Sequence, residues 1–310
     1  MPSIKYVGVD LCKRELMADL SAEAKPRAFP NDAAGITAFI AALPAGAHVV
    51  CESTGGYERG FAQVLYDRQI PVNIVQPGRV HYFARSKGKR AKNDRIDAKL
   101  LTAFGETMAL AAPPPPTAQA QELQDLFRAR QQLTAQLNEQ ASHDEHVRLP
   151  FLAAQAKERR ELLQKQIQAI EKRIRTMIAA DRQLRQRAER VQQVQGIGEV
   201  SAWTVLAEMP ELGSLRPGQA GYLLGVVPHP DESGPRSGLR HIGGGRAHAR
   251  KVLYMAALTA SQHNPVLAPF YRRLTQAKHK PHLVALGAVM RKLVELLNRL
   301  LQDPNFVLAS

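Results

Sequence analysis

An α/β layered domain followed by two mainly helical regions is what this sequence predicts, and three observations carry the expectation. Residues 1–112 alternate short apolar runs with amphipathic stretches, the pattern of strands separated by helices, which implies a layered fold with parallel pairs. Residues 117–190 contain no glycine and a single proline, Pro150, among abundant Gln, Arg, Glu, Leu and Ala. From Gln195 onward short helical patterns and Gly-rich turns return.

The elements follow in order. "IKYVGVDL" (4–11) is a buried strand ending in an acid, with "LMADLSA" and "PRAFP" as its hairpin neighbours. "AAGITAFIAAL" (33–43) reads as a helix, "AHVVCES" (47–53) as a second buried strand, and "YERGFAQVLYDRQ" (57–69) as a helix with Phe61, Val64 and Leu65 on one side. "IPVNIVQP" (70–77) is a further strand, and a helix starts near Asn93. "PPPP" (113–116) cannot continue a helix and marks a boundary. Beyond it, Leu163, Ile167, Ile170, Ile174 and Met177 repeat at spacings of 4, 3, 4 and 3, a heptad seam. Two long helices broken near Pro150 are expected, paired with each other or across a homo-oligomer, dimer or tetramer. A plain amphipathic helix on a globular core is the other reading of that seam. "VQGIGEVSAWTVLAEMPEL" has a Gly-Ile-Gly turn leading into a helix. Such a turn either offers backbone N–H groups to a phosphate or is simply tight. The expected domains are 1–112, 113–190 and 191–310.

The chain has 310 residues with 42 Lys+Arg against 28 Asp+Glu, a net charge of +14. So basic a protein most often meets a polyanion, with nucleic acid the leading candidate. A membrane is the weaker partner, because no run of about 18 apolar residues is present. "MPSIKYVGVD" lacks a signal-peptide pattern, and a cytoplasmic location is expected. Cys12 and Cys51, the only cysteines, lie in apolar runs and are expected as reduced core thiols. Two cysteines supply too few ligands for a zinc site.

Four acids stand out. Asp10 ends the first strand, Glu52 ends the second buried strand, and Asp94 and Asp97 share one helix face at i and i+3. In an open α/β sheet, sites form beyond the carboxyl ends of strands, so the four can converge there. Carboxylates held together repel unless a cation sits among them, and hard oxygen ligands suit Mg²⁺ or Mn²⁺. A pair of such ions stabilises the attacking and leaving oxygens of phosphodiester cleavage. The surrounding cations Lys87, Lys89, Arg90, Lys92 and Arg95 would hold the phosphate backbone.

This arrangement resembles the RNase H-like, RuvC-like fold. "GVDLCKRE", "CESTGGYE" and "KNDRIDAKLL" resemble the DEDD blocks of Piv-type invertases and the related DEDD insertion-sequence transposases. "PGRVHYFARSKGKRAKNDRIDA" is similar to that family's approach to its third and fourth acids. "VQGIGEVSAWTVLAEMPELG", "YLLGVVPHPDESGPRSGLRHIGGGRAHARKVLYMAAL" and "HLVALGAVMRKLVELLNRLL" resemble its C-terminal transposase domain. The resemblance spans roughly 4–110 and 190–302, in the transposase order with the acid domain first.

The resemblance implies a metal-binding acid set of Asp10, Glu52, Asp94 and Asp97. It also implies a nucleophilic serine: Ser233, Gly234, Gly238 and Ile242 fit the family's Ser-Gly-x3-Gly-x3-Ile pattern. The matching serine would attack a DNA phosphodiester and form a phosphoserine link. Ser237, in a second "SG", competes for that role, and both serines could equally be turn residues. No Ser-His-Asp spacing is evident, although His241 and His248 lie nearby. Arg236, Arg240, Arg246, Arg250 and Lys251 would hold phosphate, and "GGG" before a helix offers close backbone approach. The family's implied partners are double-stranded donor and target DNA and a structured non-coding guide RNA. The competing function is a metal-dependent nuclease or junction resolvase without covalent serine chemistry. A non-catalytic nucleic-acid-binding module would leave the four acids unexplained. A sugar-kinase-like use of the sheet is disfavoured, because no Gly-rich phosphate loops flank the acids.

Overall fold

The computed structural model describes residues 4–20, 25–53, 55–87, 94–228, 232–233, 236–237 and 241–308, with backbone alone at 94–96, 232–233 and 236–237. The chain forms two compact units, 1–116 and 117–310. The first is a mixed α/β sheet domain and the second is mostly helical.

The first unit is built on a five-stranded sheet. Its strands are β1 (Lys5–Leu11), β2 (Glu15–Asp19), β3 (Arg27–Pro30), β4 (Ala47–Glu52) and β5 (Val72–Val75), in the order β3-β2-β1-β4-β5. β1, β2 and β3 form an antiparallel meander, while β4 and β5 join β1 in parallel. The parallel steps are crossed by α1 (Ala33–Ala42) and α2 (Tyr57–Asp67), and α3 (Pro77–Ser86) and α4 (Asp94–Met108) follow. Asp32 starts α1 by accepting a hydrogen bond from the Gly35 N–H at 2.8 Å.

Period-two alternation divides the core between the two sheet faces. Val7, Val9, Val49 and Cys51 pack with Phe39 of α1 and Phe61 of α2. Tyr6, Val50 and Val75 pack with Phe83 of α3 and with Leu101 and Phe104 of α4. α3 is a helix that the sequence analysis did not anticipate. Its apolar signal is only Val80 and Phe83, within a strongly basic stretch, with Pro77 at its first position. Cys12 departs from expectation: Cys51 is buried, but Cys12 lies in the turn after β1 and is exposed.

In the second unit, α5 (Ala118–Asp144) and α6 (Pro150–Ala180) form a helical hairpin. Thr117 caps α5 by accepting from the Ala120 N–H, and Pro150 occupies the first turn of α6. The ion pairs Arg173–Glu122, Arg130–Glu171 and Arg160–Asp144 show that the two helices run antiparallel. A helix unseen in the sequence, α7 (Arg182–Gln192), follows, capped by Asp181. Its apolar stripe is too thin to announce it, because it buries only Ala188 and Val191. The remaining helices are α8 (Glu199–Glu208), α9 (Gln219–Leu224), α10 (Ala247–His263), α11 (Leu267–Arg272) and α12 (His282–Gln302).

The heptad seam is used within the chain. Ile174 and Met177 are buried with Leu123 and Phe127 of α5 and Trp203 of α8, so the hairpin shares its core with the C-terminal helices. Leu163, Ile167 and Ile170 are half-buried, and the hairpin tip exposes Leu149, Phe151 and Leu162. Among the described residues, no helix is long and apolar enough to cross a membrane.

Candidate active site

Asp10 is the penultimate residue of β1 and Glu52 the last of β4. The parallel ladder pairs Val9 with Cys51, so the next step along both strands sets Asp10 beside Glu52. Both have the parity of Tyr6 and Val50, which places them on the face covered by α3 and α4. Each is half-buried.

α4 crosses that face against β1. A Cβ on Gly8 would lie 2.5 Å from the Thr102 N and 2.8 Å from the Leu101 Cβ, with the Ala98 carbonyl closer still. The Gly8 N–H donates to the buried Thr102 Oγ1 at 2.9 Å, and the Thr102 hydroxyl donates to the Ala98 carbonyl at 3.3 Å. Further along, Gly105 meets the Tyr6 ring, where a Cβ would come within 2.7 Å. Higher numbers on α4 therefore match lower numbers on β1, and the two run antiparallel. Two strand residues from Gly8 to Asp10 advance about 6.6 Å. At about 1.5 Å per helical residue, the same distance from the Ala98–Thr102 crossing reaches the turn holding Asp94 and Asp97. The backbone thus brings all four acid positions to one end of one face. Asp97 is half-buried, and the Asp94 side chain lies outside the described residues. Among the described residues, which do not include the Asp94 side chain, no three His, Cys, Asp or Glu side chains form a ready cation cage.

A fifth acid escaped the sequence analysis. Glu58, 3% exposed, accepts from the Gly56 N–H at 2.9 Å and from the Ser53 hydroxyl at 3.2 Å. It ties down the turn after Glu52, where Gly55 and Gly56 have φ of 63° and 102°. Its one signal was position, in the first turn of α2 in "CESTGGYE". Burial, and then the Glu58 charge, push the Cys51 thiol far up, so it stays protonated and inert.

Of the cations flanking the acids, Lys87 is exposed, with its ammonium 5.5 Å from the Phe83 ring centre. Lys89, Arg90, Lys92 and the side chain of Arg95 lie outside the described residues.

In the second unit, β6 (Glu232–Ser233) and β7 (Arg236–Ser237) pair antiparallel, with Ser233 opposite Arg236 and Ser237 opposite Glu232. Gly234 and Pro235, which separate the two strands in sequence, lie outside the described residues. The Ser233, Ser237 and Arg236 side chains and all of Gly238 and Arg240 lie outside the described residues. Ile242 and His241 are exposed.

The "GGG" loop packs against its own unit. A Cβ on Gly245 (φ 59°) would come within 2.7 Å of the Leu223 carbonyl, and Gly225 faces the Gly244 carbonyl. Arg250 donates to the carbonyls of Leu224 and Gly244, at 3.1 and 2.5 Å. Arg246 makes a bidentate pair with Glu211. Burial would raise the Glu211 carboxyl, but this guanidinium outweighs it and holds the group below the usual range. Both arginines are thus engaged inside the protein, while Lys251 is exposed. The Gly-Ile-Gly turn is likewise packed: Gly196 (φ 109°) abuts α10, where a Cβ would lie 2.8 Å from the Ala256 carbonyl. A cleft of about 420 Å³ between α5, α8 and α10 is lined by Phe127, Glu208, Glu211, Arg246 and His248. In it the His248 Nδ1 stands 3.0 Å from Glu208 and 2.8 Å from the Gln131 amide nitrogen.

The first unit thus sets acid positions at strand ends beside a crossing helix, and the second is mostly helical. Residues 7–149 match the family model of a DEDD transposase of the IS110 type, and residues 188–272 match that of the transposase IS116/IS110/IS902 family. The chain belongs to this family of transposases, enzymes that cut and rejoin DNA. Two relatives are pilin gene-inverting proteins. That of Moraxella bovis is 26% identical over 305 residues, 93% of each chain. That of Moraxella lacunata is 26% identical over 255 residues, 80% of this chain and 77% of the relative.

Proposed function

We propose that this transposase cuts DNA through a covalent phosphoserine at Ser233, with Asp10, Glu52, Asp94 and Asp97 holding Mg²⁺ or Mn²⁺ in an RNase H-like, RuvC-like domain. The observation that carries the reading is the parity and register that set Asp10 beside Glu52, level with the first turn of α4. The donor chemistry fits: the carboxylates of Asp10, Glu52 and Asp97, each half-buried, are hard oxygen ligands, and a divalent cation offsets the repulsion of acids brought together. When bound, such a cation polarises the scissile phosphate and stabilises the departing oxygen. The Ser233 Oγ bonds to phosphorus as the bond from phosphorus to a deoxyribose oxygen breaks, and the serine proton passes, through solvent, to that departing oxygen. Attack by a second DNA end reverses the exchange and rejoins the strand. In this reading 1–112 is the acid domain, 113–190 a helical coiled-coil segment and 191–310 the serine domain.

A structured non-coding RNA selects donor and target by base pairing. Support comes from the net charge of +14 and from the lack of a standard DNA-reading motif in the sequence. The half-buried upper seam and exposed hairpin tip support a coiled-coil contact between copies of a homo-oligomer. A cytoplasmic location accords with a DNA substrate.

The test is a denaturing gel after reaction with labelled DNA and Mg²⁺. A protein–DNA adduct is expected in wild type and Ser237→Ala and absent in Ser233→Ala. An adduct that survives Ser233→Ala and vanishes in Ser237→Ala moves the role to Ser237. Metal-dependent cleavage without any adduct establishes the plain nuclease or junction resolvase instead. For the RNA, ribonuclease treatment should abolish site-selected recombination and leave bulk DNA binding intact.

A further inference from the structure

Between Glu232 and Glu295 the sequence contains no aspartate or glutamate. In the first part of this span the structure engages Arg246 and Arg250 internally. The second part presents Arg272, Arg273, Lys278, Lys280, Arg291 and Lys292, all exposed. Among the described residues none of these six has a carboxylate within ion-pair distance. Arginines of the hairpin in the same unit do: Arg130 meets Glu171, Arg173 meets Glu122 and Arg175 meets Glu199.

The cations sit on an ordered knuckle rather than on a loose loop. After α11 the chain makes a π-helical turn, Arg273–Ala277, closed by the Lys278 N–H on the Arg273 carbonyl at 3.1 Å. The Lys280 N–H then returns to the Leu274 carbonyl at 2.9 Å, with His279 in the left-handed region at φ 47°. The Tyr271 hydroxyl lies 2.8 Å from the His282 Nδ1, which fastens the turn to the start of α12. Phe270 is flanked by the Lys292 ammonium at 4.4 Å and the Arg273 guanidinium at 5.5 Å from its ring centre, which places two of the charges. Left-handed backbone at a non-glycine residue and an interrupted helix both cost free energy. Crowded like charges without counter-charges cost more. A surface that keeps all three is complementary to a polyanion.

We propose that this knuckle, from Arg272 to Lys280 with Arg291 and Lys292 beside it, grips the phosphate backbone of duplex DNA. The family match ends at residue 272, so the surface lies almost wholly beyond it. The proposal rests on the chain acting on DNA, but not on Ser233 chemistry.

The test is binding of the full chain to one linear duplex, followed by anisotropy across a salt series. Each lost phosphate contact lowers the slope of log K against log salt by about 0.9. Lys278→Ala/Lys280→Ala should therefore flatten the slope by about two, with unchanged melting and with adduct formation retained at saturating DNA in low salt. Lys157→Ala/Lys165→Ala on α6, which removes the same net charge, should leave the slope as it is. An unchanged slope in the knuckle variant, or an equal loss in both variants, overturns the proposal. A loss seen with structured RNA and not with duplex DNA overturns it as well. Failure of the wild type to bind duplex DNA would sink the DNA reading itself, whereas loss of the adduct alone would count only against the serine mechanism.

Discussion

Gly8→Ala should disable the enzyme through a methyl group buried between β1 and α4. The added Cβ would meet the backbone nitrogen of Thr102 at 2.5 Å and the Ala98 carbonyl closer still, where ordinary contact begins at 3.4 Å. Neither obstacle is a side chain that can rotate away, so α4 must lift from β1 by roughly an ångström. Overpacking of this kind costs about 1–3 kcal/mol. The shift also strains the Gly8–Thr102 hydrogen bond, worth about 1 kcal/mol. Total destabilisation should be about 2–4 kcal/mol. The effect on catalysis should exceed what folding explains, because α4 carries Asp94 and Asp97. A misplacement of about 1 Å costs on the order of 100-fold in rate. Thr102→Val keeps the shape and leaves the Gly8 N–H buried without a partner, a loss of about 1–3 kcal/mol, whereas Thr102→Ser restores the hydroxyl. Urea unfolding gives the stability, and DNA cleavage across a Mg²⁺ series gives the rate and metal requirement of the folded fraction. Gly8→Ala that cleaves at the wild-type rate with the wild-type metal requirement would refute the claim that this crossing aligns the acids.

Three further outcomes are expected. Asp97→Asn should fold and bind DNA normally yet lose cleavage by several powers of ten; normal cleavage would remove Asp97 from the acid set. Glu58→Ala leaves the half-buried Gly56 N–H without this acceptor, so unit stability should fall by about 1 kcal/mol and more Mg²⁺ should be needed; an unchanged melting curve would show that the turn after Glu52 holds without it. His48, its Nε2 2.5 Å from the Asn73 Oδ1, is held below its ordinary 6.5 by burial, partly opposed by that hydrogen bond. The unfolded chain therefore binds the proton more readily, so this contribution to stability is full above pH 6.5 and is lost as pH falls below it. Urea midpoints between pH 7 and 5 should fall in wild type and flatten in His48→Gln; equal slopes would reject His48 as the source.

Short continuous apolar runs and the Gly/Pro punctuation made the sheet legible in the sequence, since burial on both faces demands continuous apolar strands. Positions of the acids at strand ends were legible for the same reason, and the DEDD blocks carried the family. α3 and α7 were not legible, because helices that bury only two side chains each write no clear stripe. Cys12 looked like a core thiol from its neighbours but falls just past the last residue of β1, where the chain turns outward.

The acid positions, the helical hairpin broken at Pro150 and the excess of positive charge were written in local composition and spacing. Only the tertiary structure decided what each cation and glycine is for. Arg246 reads as a phosphate ligand until Glu211, 35 residues away, folds against it. Gly8 reads as an ordinary strand residue until α4 arrives from 94 residues further on and leaves no room for a Cβ. The partner that settles such a residue is chosen by packing between elements distant in the chain, and local sequence carries no record of that distance.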